Sequence, residues 1–253
     1  MASRPCNPHP MGEDTRGELG ELAALTSELL RHELDLGNPY LPRMATPAVA
    51  RPSAPDPAPD PTHAPTRLAV LAEEAAVCTR CRLHEGRTKS VFARGNPGAS
   101  LVFVGEGPGY HEDQRGLPFV GRAGQLLDKM IAAMGFAQDE VYICNVVKCR
   151  PPDNRTPNPD EAAACLPYLR EQLAIVAPAA IVALGRTAAE HLGVAEPGRS
   201  WRGRWGEWEA VRVMPTYHPA YLLRNPENKR LVWQDLQAVV KVMGRELPSR
   251  SRG

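Results

Sequence analysis

Four cysteines constrain this chain more than any other feature. Cys78 and Cys81 form a tight Cys-x-x-Cys knuckle, while Cys149 and Cys165 follow far downstream with fifteen residues between them. They bracket a glycine-rich turn, Gly105-Glu106-Gly107-Pro108-Gly109, and Asn145. Four thiolates suit either tetrahedral zinc or an iron–sulfur cluster. Structural zinc usually draws on two tight knuckles. Only one is present here, and the wide second spacing favours the larger [4Fe–4S] cube, with zinc as the alternative. The pattern reads as a metal-held α/β domain whose loops converge on a small pocket. Cys144 points to the strand face opposite Asn145 and is assigned to the core.

The rest of the chain supplies elements for such a domain. Leu101–Val104 is a short continuous apolar run ending in glycine, as expected of a buried parallel strand. Val141–Val147, Ala180–Leu184 and Val211–Met214 repeat the pattern. Helical spacing fills the intervals: Leu68–Val77 runs into the knuckle, Gly124–Met134 carries Leu126, Leu127, Met130 and Ile131, and Leu231–Met243 closes the chain. Asn158-Pro159-Asp160-Glu161 opens a further helix over 159–177, with an N-cap, proline at the first helical position and glutamate three residues on. Strands alternating with helices call for a parallel, doubly wound sheet. The fold class is therefore α/β, a four-stranded parallel sheet flanked by helices in one three-layer domain over 67–248.

Residues 1–66 read as an extension of different character. Nine prolines lie between Pro39 and Pro65, among Ala, Asp, Thr and Ser, so 38–65 is expected to be a disordered tether. Ahead of it, Leu19, Leu22, Leu25, Leu29, Leu30 and Leu34 form a stripe over 14–36. That helix either docks on its own domain or binds a protein partner.

Charge narrows little. A formal net charge of +1 announces no nucleic-acid partner, so any such contact must be local. No signal-like segment is present, and no apolar run nears the ~18 residues a membrane span needs. A soluble, intracellular chain is expected, with its cysteines as ligands or buried thiols rather than disulfides.

In doubly wound sheets, ligands sit beyond the carboxyl ends of the strands. The residues at those ends carry the chemistry: the 105–109 turn after the first strand, Asn145 near the end of the second, Gly185-Arg186 after the third, and Thr216-Tyr217-His218-Pro219 after the fourth. All fall on one rim, which argues for a single site. The turn is not a dinucleotide fingerprint, because Pro108 and the acidic Glu112-Asp113 intervene. It instead lets backbone amides approach a flat, uncharged ligand. Asn145 offers both donor and acceptor to a base edge, and Phe119 could stack on a planar ligand.

Taken together, these residues resemble the family 4 (type a) uracil-DNA glycosylases, the iron–sulfur branch of their superfamily. The similarity runs from about Arg67 to Leu247. It rests on Cys78-x-x-Cys81, the 105–109 turn with Glu112-Asp113, Gly116-x-Pro118-Phe119-Val120-Gly121-x-Ala123-Gly124, Asn145-Val146-Val147-Lys148-Cys149-Arg150-Pro151-Pro152, Cys165 and His218-Pro219-Ala220. Tyr110 and His111 depart from the family pattern, as does the 1–66 extension.

The resemblance implies a DNA-repair hydrolase that breaks the N-glycosidic bond of uracil and leaves an abasic site. Cys78, Cys81, Cys149 and Cys165 would hold a [4Fe–4S] cluster. Uracil would flip out of the helix into the rim pocket, lined by Gly105 and Gly107, stack on Phe119 and be read by Asn145. Glu112 would lie near the pyrimidine C5 and exclude a thymine methyl. His218 would donate to the uracil O2, and Glu106 would position water or hold the turn. Tyr221 or Leu222 would wedge into the vacated space, and Lys148, Arg150, Arg155, Arg224 and Lys229 would meet phosphates. The expected protein is a prokaryotic, cytoplasmic monomer acting on nucleoid DNA. An iron–sulfur protein that binds uracil-DNA or carries electrons without turnover is the competing reading.

Overall fold

Every residue of Leu101–Gly105 is buried, which only a strand covered on both faces allows. Its side chains alternate between two cores. Val102 and Val104 join one with Leu169, Leu173 and Ile181, while Leu101 and Phe103 join the other with Leu127, Ile131 and Leu236. The computed structural model describes residues 63–195 and 200–248, and these form a mixed α/β unit around that strand.

The sheet has six strands in the order β1-β3-β2-β4-β6-β5: β1 Ala93–Gly95, β2 Leu101–Gly105, β3 Val141–Asn145, β4 Ala180–Leu184, β5 Gly206–Trp208 and β6 Val211–Thr216. β3, β2, β4 and β6 are mutually parallel. The expectation of four strands is corrected at both edges, where β1 pairs antiparallel with β3 and β5 with β6. Each edge strand has three residues, too few for periodicity to register.

One face carries α1 (Ala64–Val77), α5 (Pro159–Val176) and α6 (Arg186–His191); α2 (Leu83–Gly86) contributes Leu83 to the same core. The other carries α4 (Arg122–Ala133) and α8 (Lys229–Val242). Two six-residue helices, α3 (Tyr110–Arg115) and α7 (Pro219–Arg224), sit on the rim. At the start of α5 the Asn158 backbone N–H donates to Glu161 at 2.8 Å, closing one half of a capping box. The helix ends at Ala177, in the left-handed region at φ 47°, just before Pro178.

The expected helix over 14–36 lies outside the described residues. So does the tether over 38–65, save its last three residues. Of these, Ala64 and Pro65 already belong to α1, where proline fits the first turn. Among the described residues no helix is long and apolar enough to cross a membrane.

Candidate active site and cysteine site

The carboxyl ends of β2 and β3 lie side by side, with Gly105 paired to Asn145. A Cβ on Gly105 would fall 2.4 Å from Asn145 Oδ1 and 2.6 Å from Phe119 Cζ. Glycine there is thus what lets the asparagine amide and the phenyl ring close over the strand end. Phe119 itself takes φ 55°, a left-handed conformation that a bulky residue rarely adopts. Gly124 makes room for it, since a Cβ at that position would meet the Phe119 carbonyl oxygen at 1.8 Å.

These side chains line a cavity of about 500 Å³, together with Glu106, Gly107, Glu112, His218, Tyr221 and Arg224. The volume suits a small planar ligand. Asn145 is 1% exposed, and its Oδ1 has no hydrogen-bond partner. A buried acceptor left unmade costs free energy that a ligand donor would recover. The Phe119 and His218 ring centroids are 5.6 Å apart, tilted by 31°.

His218 is the N-cap of α7, and its Nδ1 accepts from the Ala220 backbone N–H at 3.1 Å. With Nδ1 an acceptor, the neutral imidazole carries its proton on Nε2 and can donate from there. Burial holds its pKa down to about 4, aided by the Arg224 cation and opposed by Glu112. The ring is therefore neutral at physiological pH. Glu112 Oε1 accepts from the Val120 and Gly121 N–H groups at 2.9 and 2.8 Å, tying α3 to the start of α4. Glu106 Oε2 accepts from the Thr187 hydroxyl at 2.5 Å. Thr187 is legible in the sequence as the opening of a helix on the same rim, but nothing there pairs it with Glu106.

Two expected roles are corrected by burial. Leu222, proposed as a wedge, is 1% exposed and packed in the second core, whereas its neighbour Leu223 is 40% exposed. Tyr221 lines the cavity, with its ring 4.7 Å from Tyr217 and its hydroxyl accepting from Asn228 at 3.2 Å. Lys148, proposed for phosphate contact, is 1% exposed and out of reach of a duplex. Arg224 borders the cavity and Lys229 is exposed. Arg155 also borders it and donates through two nitrogens to Glu161 at 2.8 and 2.7 Å. Arg150 lies over the Tyr110 ring at 5.2 Å and donates to Asn154.

The four cysteines line a second, smaller cavity between α1, α5 and the segment after β3. Arg87 donates to Cys149 Sγ at 3.2 Å and to the Cys78 carbonyl at 2.9 Å. The Lys148 backbone N–H donates to Cys165 Sγ at 3.3 Å. Burial raises the pKa of Cys81 and Cys149, and pushes Cys165 up to about 11. Burial thus favours the protonated form of these three thiols, and a metal would have to displace those protons. Among the described residues no three His, Cys, Asp or Glu side chains are grouped closely enough to hold a metal ion. The shared cavity, and donors already aimed at two of the sulfurs, nonetheless fit a thiolate-held group. Arg87 was missed because a lone arginine in a polar stretch carries no periodic signal. Cys144 is fully buried in the first core, as expected.

The parallel core of the sheet thus carries, beyond its carboxyl ends, a pocket that suits a small planar ligand. Residues 92–237 match the family model of the uracil DNA glycosylase superfamily, and the chain belongs to that superfamily. It is 45% identical over 184 residues to a type-4 uracil-DNA glycosylase of Thermotoga maritima, an alignment covering 71% of this chain and 96% of that protein. It is 42% identical to the type-4 enzyme of Sulfurisphaera tokodaii over 68% of this chain and 83% of that protein. A type-5 uracil-DNA glycosylase of Pyrobaculum aerophilum is 34% identical over 58% of this chain and 72% of that protein.

Proposed function

We propose that the chain is a type-4 uracil-DNA glycosylase, which hydrolyses the N-glycosidic bond of uracil in DNA and leaves an abasic site. The observation that carries this reading is the unpaired Asn145 Oδ1, buried beside Phe119 and within the same cavity as His218.

A flipped uracil stacks on Phe119, and the Asn145 amide meets its N3–H with Oδ1 and its O4 with the NH2 group. As the C1′–N1 bond breaks, the bonding pair leaves with the base and the negative charge spreads to O2. The Nε2–H of neutral His218 and the amides of the 105–109 turn stabilise that charge. Water adds its oxygen to C1′ and gives up a proton, and uracil takes one at N1. Glu106, held through one carboxylate oxygen by Thr187, orients the water. Glu112 holds the 120–121 turn against the pocket and narrows the space for a C5 methyl. Leu223 replaces Leu222 as the residue that fills the vacated stack, and Arg224 and Lys229 meet phosphates.

Cys78, Cys81, Cys149 and Cys165 would hold a [4Fe–4S] cluster, which would supply a covalent staple between α1 and α5. Single-turnover assays on a labelled oligonucleotide test the reading. Alkali-labile breaks at uracil, absent with thymine, support it; intact DNA with folded protein overturns it.

A further inference from the structure

Lys148 is the least comfortable residue in the domain. It is 1% exposed, and among the described residues no carboxylate pairs with it. Taking an ammonium out of water is expensive, and an apolar side chain of similar volume would cost less. Its partners are specific. Nζ donates to the Asn145 backbone carbonyl at 2.6 Å and lies 5.8 Å from the Phe92 ring centroid. The backbone N–H of the same residue donates to Cys165 Sγ, and the residue borders the cysteine cavity. One residue thus links the thiol site, through its backbone N–H, to the strand end that presents Asn145, through its side chain; Asn145 lines the other cavity, and its Oδ1 has no partner.

We propose that Lys148 is a positioning residue that couples the four-cysteine site to the base-reading amide of Asn145. The proposal rests on the glycosylase reading. Nζ clamps the carbonyl that fixes the Asn145 backbone, while the N–H of Lys148 registers the same segment against Cys165. A filled cysteine site then holds Asn145 ready for uracil. By reciprocity, uracil in the pocket stabilises the filled site.

The test uses the full chain carrying its iron, with Lys148→Met (similar length, no donor) and Lys148→Gln (a shorter donor). Free-uracil affinity is measured by equilibrium dialysis, alongside iron content, visible absorption and affinity for uracil-free DNA. Lys148→Met should keep iron, colour and DNA affinity but bind uracil about 10–100-fold more weakly, the usual cost of removing a supporting partner. Lys148→Gln should recover part of that loss. In the unmodified protein, saturating uracil should raise the chelator concentration that strips half the iron, and Lys148→Met should abolish this shift. Undiminished uracil affinity in the Met variant overturns the coupling. So does uracil affinity that falls only in proportion to lost iron, since Lys148 would then serve the metal site alone. If Lys148→Met does not fold, Lys148→Gln is judged by the same ratio. Binding of uracil without excision by the unmodified protein would sink the glycosylase reading and leave the coupling open to the same test.

Discussion

The imidazole of His218 lies 5.6 Å from the phenyl ring of Phe119, centroid to centroid, with 31° between their planes. The proposed stacking surface and hydrogen-bond donor thus come from separate parts of the chain, the 116–121 loop and the cap of α7. A base on Phe119 would present its edge to His218. Replacing His218 with alanine should slow single-turnover excision at saturating DNA by about 10²–10³-fold, as expected for one lost charge-stabilising donor. An unchanged rate would remove it from the chemical step.

The same histidine makes a statement about pH. Its folded pKa, about 4, lies below the roughly 6.5 of an unfolded chain. The unfolded chain therefore takes up the proton first on acidification. The stabilising contribution is complete above about pH 6.5 and is lost as pH falls towards about 4. Imidazole NMR should show no protonation of His218 between about pH 5 and 8. A titration near neutrality would mean the ring is not shielded as the cavity suggests.

Asn145→Ala removes the amide proposed to meet N3–H and O4 of the pyrimidine, at a buried position away from the outer surface. Excision should fall by about 10–100-fold, the cost of leaving one or two buried groups unpaired. Affinity for uracil-free DNA, read by anisotropy, should not change. Equal losses in both measurements would end the base-reading role.

Leu222 and Leu223 should part company. Leu222→Ala opens a cavity in the core and should cost about 2–5 kcal/mol, visible as a lower melting temperature. Leu223→Ala should leave stability intact yet slow excision from duplex DNA more than from single strands. Equal rates on both substrates would deny Leu223 the role of wedge.

Gly105→Ala tests the packing behind the pocket, because its methyl must displace the Asn145 amide or the Phe119 ring. Uracil excision should drop at least as far as in Asn145→Ala, in protein with an unchanged melting temperature. Full activity would show that the two side chains can move apart freely.

What could be read from sequence alone followed from length and pattern. β2 and β4 are five-residue apolar runs, and the residues after them had nowhere to go but the rim. β1 and β5 have three residues and α3 and α7 six, so none repeats its diagnostic period twice. Leu222 lies in the core and Leu223 in solvent because a single helical step turns a side chain by about 100°, which no local residue type announces. Lys148 was sent to the surface by its charge, and nothing in its neighbours’ identity announced a buried partner. Thr187 and Glu106 meet from 81 residues apart, a separation no local pattern can encode.

The antiparallel strands at the two margins of the sheet bear on how this protein behaves when crowded. A parallel core closes slowly, because its neighbours are far apart in sequence, and a bare parallel edge would invite a second molecule to add on. Three residues at each margin offer too short a template for that. Damage to either margin should therefore appear first as self-association in concentrated samples, before any loss of base excision.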